Sequence, residues 1–256
     1  MEFLWLGVCL AFLGSPVASG AMPRAIAVFP SGPSLPANAL RISIAFRSPP
    51  QGPILPGLSL VDAQGRPIDS PFLPQELWSP DGTILTVLFH PGRVKAGLAA
   101  KQALGAPLEK TDHVALMLGG QQLKVWSIGD EDRSPPDPSR WTVGGDGVSG
   151  QAAVIVELDG PVEARAAHHI AIQDPAGRRV RGTGRLVAGE TRWVFVPLAA
   201  WLPGTYRVVS HPHLEDPAGN RVGQLFEARD LSTKQADRKA GPTWTVRGNH
   251  VSNPEP

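Results

Sequence analysis

Two stretches of this sequence say nearly the same thing 112 residues apart. Leu58-Ser59-Leu60-Val61-Asp62-Ala63-Gln64-Gly65-Arg66 and Ile170-Ala171-Ile172-Gln173-Asp174-Pro175-Ala176-Gly177-Arg178 each run an apolar alternation into Asp-x-x-Gly-Arg. Phe46 and Leu158 stand at the same offset of 112, and the run from Gly82 to Pro91 parallels Gly189 to Pro197 at offsets of 107 and 106. A self-similar period near 110 residues implies a duplicated domain, and an immunoglobulin-type sandwich needs about 100 residues. The 256 residues have room for two.

The local pattern agrees. Ile42, Ile44 and Phe46 alternate with Arg41, Ser43 and Ala45, the period of a half-buried strand. Further short strands are read at Leu58–Val61, Ile84–Phe89, Val114–Leu118, Leu123–Ile128, Ala152–Leu158, Ile170–Gln173, Arg192–Val196, Tyr206–Val209 and, as the closing strand, Leu225–Ala228. The 27 prolines and 28 glycines, about a fifth of the chain against roughly 12% in ordinary use, punctuate these strands and leave little room for long helices. Gly129 to Pro138, with three prolines and several charges, reads as a linker. The expected fold is all-β: two tandem immunoglobulin-like antiparallel β-sandwich domains after a signal peptide. The boundaries are 1–21 for the signal peptide, 22–129 and 139–229 for the domains, 130–138 for the linker, and 230–256 for a flexible C-terminal tail.

The first residues carry an address. Phe3 to Leu13 is apolar and too short to span a bilayer, and it is followed by the small residues Ala18-Ser19-Gly20-Ala21. This is the order of a secretory leader cut near Gly20 or Ala21. Export to the periplasm or the extracellular space is expected, with no transmembrane segment in the mature chain. The single cysteine, Cys9, lies inside the leader, so a disulfide framework is not available and the core must supply the stability.

Leu202-Pro203-Gly204-Thr205-Tyr206 has the spacing of a tyrosine corner, with His113 at the matching place in the first half. With Phe46-Arg47-Ser48-Pro49-Pro50, Asp-x-x-Gly-Arg at 62 and 174, and Leu214-Glu215-Asp216-Pro217-Ala218-Gly219-Asn220, both halves resemble the bacterial Ig-like domains of the S-layer type. The resemblance implies a secreted or envelope protein and the sandwich fold. Arg47-Ser48-Pro49 departs from the family's usual Phe-Ser-Glu-Pro, so a role tied to that carboxylate does not carry over.

Charge is balanced, 24 Lys+Arg against 23 Asp+Glu, which argues against nucleic acid as a partner. No Gly-x-Ser-x-Gly elbow is present, and the expectation is a protein that is not an enzyme. Three sets of residues carry candidate binding chemistry. His211 and His213, an i, i+2 pair beside His168-His169, suit a copper or zinc clip if they lie on a strand. Asp130, Glu131, Asp132 and Asp137 offer oxygen ligands for calcium in the linker. Arg93, Lys95 and Lys101 belong to an insertion found in the first half only, read either as a cap or as a contact surface. The function expected is a structural or adaptor module contacting an envelope protein or surface polymer. The alternatives are periplasmic metal handling and an accessory module of a carbohydrate-active enzyme, whose sugars would stack on tryptophans 78, 126, 141, 193, 201 and 244.

Overall fold

The structure, a computed structural model, describes residues 24–94, 99–109, 113–144, 150–226 and 239–247. The expected leader and Lys95 lie outside them. In the first half the strands are β1 (Ala25–Phe29), β2 (Ser34–Pro36), β3 (Arg41–Phe46), β4 (Leu58–Asp62), β5 (Leu77–Trp78), β6 (Ile84–Leu88), β7 (Val114–Leu118) and β8 (Gln121–Gly129). Two short helices, α1 (Pro91–Val94) and α2 (Ala99–Leu104), fall in the insertion. The second half holds β9 (Thr142–Gly144), β10 (Val154–Glu157), β11 (Ile170–Gln173), β12 (Gly182–Val187), β13 (Arg192–Pro197), β14 (Gly204–Ser210) and β15 (Lys239–Val246).

Each half is a sandwich with one wiring. The first pairs its strands β1-β3-β6-β5 and β2-β8-β7-β4; the second pairs β12-β13-β10-β9 and β11-β14-β15. Written in immunoglobulin letters, both halves have an ABED sheet facing a CFG sheet. The first half adds β2, parallel to β8, on its CFG sheet. The protein is therefore an all-β tandem of Ig-like sandwiches. The alternation seen in sequence fills two cores. Ile42, Ile44, Leu60, Val87 and Trp126 are each at most 1% exposed in one, as are Val154, Ile172, Trp193 and Val208 in the other. Each such aliphatic side chain contributes about 1.5–3 kcal/mol relative to exposure.

Tyr206 forms the corner. Its hydroxyl donates to the Leu202 carbonyl at 2.9 Å and accepts from the Leu202 amide at 3.2 Å. The equivalence with the first half shifts by one residue, however. Asp62 pairs with Val114, while Gln173, one residue before Asp174, pairs with Arg207. Val114, buried, thus occupies the place of Tyr206, and His113 is exposed.

Two expectations about the C-terminus are corrected. The closing strand is β15 and not Leu225–Ala228, of which Leu225 and Phe226 lie in a turn and the rest lies outside the described residues. Part of the expected tail therefore belongs to the sandwich. Pro242 argues against a strand in the sequence, but β15 is an edge strand, and its register against β14 slips between Arg207 and Val209. An edge with a bulge is where a residue without an amide donor is tolerated.

Candidate functional site

The polar face of β3 and β6 should meet water, and it does not. Ser43 and Thr86 oppose each other across the strands, are 2% and 4% exposed, and share a hydrogen bond of 2.9 Å between their hydroxyls. The second sandwich covers them: Arg165 donates from Nη1 to Thr86 Oγ1 at 3.2 Å, and the Leu40 amide donates to the Pro217 carbonyl at 2.9 Å. Arg41 pairs with Glu215, which also accepts from Arg221 at 2.9 Å. Burial works against the Glu215 charge, but Arg41 and Arg221 outweigh it and hold the carboxyl below its ordinary range. Glu163 goes the other way: burial raises it despite Arg41 and Arg165.

A second contact is made by the turn between β12 and β13. Ala188, Gly189 and Glu190 all have positive φ, at 54°, 68° and 62°. That tight turn brings the Gly189 and Gly32 backbones together so closely that a Cβ on Gly189 would lie 3.0 Å from the Gly32 Cα. Glu190, 2% exposed, accepts from the Ser31 amide at 2.7 Å and from the Ser31 hydroxyl at 2.6 Å.

The linker closes the junction. The Asn38 side chain donates to the Asp132 carbonyl at 2.9 Å and accepts from the Asp132 amide at 2.8 Å, while Asn220 donates to the same carbonyl at 3.1 Å. Asn220 also donates to both oxygens of buried Asp216, at 2.9 Å from its amide and 2.8 Å from its side chain. Burial pushes Asp216 up to about 7, helped by the Asp132 charge and opposed by Asn220. A segment that reads as a free spacer is thus pinned to both halves.

The candidate ligands fare differently. β14 ends at Ser210, so His211 and His213 lie in the following turn and not on a strand, the His213 amide donating to His211 Nδ1 at 3.2 Å. The fold nevertheless gathers four histidines. Ring centroids are 4.2 Å apart for His168 and His169, 5.2 Å for His169 stacked on His211, and 4.9 Å for His211 and His213. Burial depresses the His169 pKa, and the three other rings add to this. Its Nδ1 is buried without a hydrogen-bond partner. In the linker, Glu131 pairs with Arg133 and Lys101, Asp137 caps the 3-10 turn at Ser139, and Asp132 accepts from the Ser134 amide at 2.9 Å. Among the described residues no group of three or more His, Cys, Asp or Glu is arranged to hold a metal ion.

Arg93 is buried within its own sandwich. It is 3% exposed, and its guanidinium donates to the carbonyls of Gly105, Asp69 and Ser70. A basic residue in an Ala- and Gly-rich insertion reads as surface, but here it ties the insertion to its own sandwich. Lys101 likewise turns inward, to the Val94 carbonyl at 3.4 Å and to Glu131 at 3.6 Å. The six tryptophans weighed as a sugar platform pack in or against the two cores. Trp126, Trp141, Trp193 and Trp201 are buried, and half-buried Trp244 stacks on Tyr206 at 5.5 Å. Trp78 packs against the first core.

No protein-family profile matches the sequence, and no curated protein matches it. Solved structures do match. The surface layer protein SbsC, domains 1–6, aligns at TM-score 0.32 and 13% identity over 45% of this chain and 14% of its own. The tandem Ig repeats of Dlar align at 0.25 and 14% over 78% of this chain and 94% of theirs. The Group B Streptococcus pullulanase SAP aligns at 0.25 and 12% over 73% and 22%. The chain thus spans a small part of the first of these. Among the described residues no helix is long and apolar enough to cross a membrane.

Proposed function

We propose that this protein is an exported, non-enzymatic envelope or extracellular module of the S-layer Ig-like type, which holds two sandwiches in a fixed relation as a structural spacer or adaptor. The observation that carries the reading is the sealed junction. A hydroxyl pair on the outer face of one sheet is buried by the other domain, and a linker of the kind that usually permits domain motion is anchored at Asp132 by asparagines from both halves. Such a joint transmits position, and position is what a spacer needs.

The test is the distance distribution between spin labels at Gln64→Cys and Ala176→Cys, equivalent places in the two halves, in a Cys9→Ser background. A single narrow distribution that broadens in the Arg41→Ala, Glu190→Ala variant is expected. A parent distribution as broad as the variant's would sink the reading.

A second reading, copper or zinc handling through His211 and His213, is supported by the stacking of His169 on His211. Equilibrium dialysis with Cu²⁺ or Zn²⁺ tests it. Less than one ion bound per chain, or binding unchanged in the His211→Ala, His213→Ala variant, would end it.

A further inference from the structure

The segment Arg178-Arg179-Val180-Arg181-Gly182-Thr183-Gly184-Arg185 runs along the open edge of the second sandwich and changes sheets as it goes. At its start the Val180 amide donates to the Ile172 carbonyl of β11; from Gly182 onward it is β12, paired with β13. β12 ends its sheet, so one row of its backbone donors and acceptors faces no other strand. An edge of that kind is a template for another chain.

The side chains sort by parity. Val180 and Leu186 pack on the core. Between them Gly182 and Gly184 lie over the rings of Phe195 and Trp193, where an added Cβ would come within 2.4 Å and 2.5 Å of ring atoms. The opposite set, Arg179, Arg181, Thr183 and Arg185, is exposed. Arg178 pairs with Asp174 and Arg192 with Glu157. No described carboxylate is within ion-pair distance of Arg179, Arg181 or Arg185. The result is a face with cations at 179, 181 and 185 and Thr183 between the last two, which puts Arg181 and Arg185 four residues, about 13 Å, apart. It is bordered by Val196 and Leu198, 47% and 67% exposed, and Leu198 with residues 179–183 lines a shallow groove of about 500 Å³.

We propose that the free edge of β12 docks an extended acidic segment of a partner protein. The segment adds as a further strand and sets two carboxylates, four residues apart, opposite Arg181 and Arg185, with the residue between them facing Thr183. Cross-strand pairs of opposite charge favour that register, and main-chain hydrogen bonds supply affinity. The proposal rests on the adaptor reading and gives it a partner chemistry.

The experiment is a fluorescence-anisotropy titration of a labelled Glu-Val-Glu-Val-Glu-Val-Glu peptide. Its comparisons are the same peptide N-methylated at alternate residues, and heparin as a polyanion without a peptide backbone. Saturable binding is expected, weakened about tenfold or more both by Arg181→Glu with Arg185→Glu and by N-methylation. Both arginines are exposed, and an unchanged thermal midpoint confirms that the variant is folded. Absence of peptide binding overturns the proposal. So does equal affinity for the N-methylated peptide, or heparin binding more tightly with the same dependence on the arginines, which would make the row a reader of charge alone. The label distances across the junction are measured separately, so a failure here leaves the adaptor reading standing.

Discussion

Glu190 and Ser31 lie 159 residues apart in the chain and make two hydrogen bonds, of 2.7 Å and 2.6 Å, with one carboxylate taking both the amide and the hydroxyl of the serine. The contact joins a left-handed turn of one sandwich to the loop after the first strand of the other. Glu190→Ala removes the acceptor and is expected to lower stability by about 1–2 kcal/mol, since hydrogen bonds to a charged group exceed the neutral average. Ser31 is exposed and recovers water, which keeps the cost moderate. Glu190→Gln should retain part of the stability. Urea denaturation of the three proteins checks the order; a neutral Glu190→Ala would mean that the turn docks through its backbone alone.

Tyr206→Phe should cost about 1–2 kcal/mol, because the lost hydroxyl both donates to and accepts from Leu202 in a part-buried setting. The ring remains to pack against Trp201 and Trp244, so the core is kept. The loss should appear in the unfolding midpoint and not in the label distance across the junction. A variant as stable as the parent would reduce the corner to packing.

Asp216 gives the protein a pH dependence of unusual sign for a carboxylate. Its folded pKa, about 7, lies above the ordinary 3.8 because burial disfavours the charge. Between those values the folded state binds more protons than the unfolded one. The stability it contributes is complete below 3.8 and is lost as pH rises through about 7. The loss amounts to roughly a few kcal/mol above that point. As pH rises from 5 to 8 the thermal midpoint of Asp216→Asn should gain steadily on that of the parent. Parallel curves would show that some other group titrates.

The sandwiches were legible because their causes are local: alternation at Ile42-Ile44-Phe46, Asp-x-x-Gly turns, and the Leu202 to Tyr206 spacing all act within a few residues. The junction was not. Ser43 and Thr86 are small polar residues on alternating strands, and that pattern is the same whether the face meets water or a second domain. The place of Arg93 was hidden for the same reason: sequence shows a cation but not the three carbonyls that fold around it. Even the turn Asp216 to Asn220 was legible only as a turn, although its asparagine side chain reaches back to the linker. The four histidines lay between these cases. The pairs 168–169 and 211–213 are visible as pairs, but their stacking depends on β11 and β14 being neighbours in one sheet.

The buried member of that row opposes stability at acid pH. His169 has its pKa depressed from 6.5, by burial first and then by the rings of His168, His211 and His213, with Glu215 pulling the other way. Below about 6.5 the unfolded chain takes up a proton on this residue before the folded protein does, so the contribution of His169 to stability falls as pH drops through that window and is fully present above it. Relative to the parent, His169→Gln, which cannot become a cation, should gain stability as pH is lowered from 7 to 5. The sign is opposite to that of Asp216, so the two variants tilt the pH profile in opposite directions and are told apart in one set of melts. If His169→Gln follows the parent down to pH 5, the acid limb belongs to other groups and the histidine row is only packed, not electrostatically coupled.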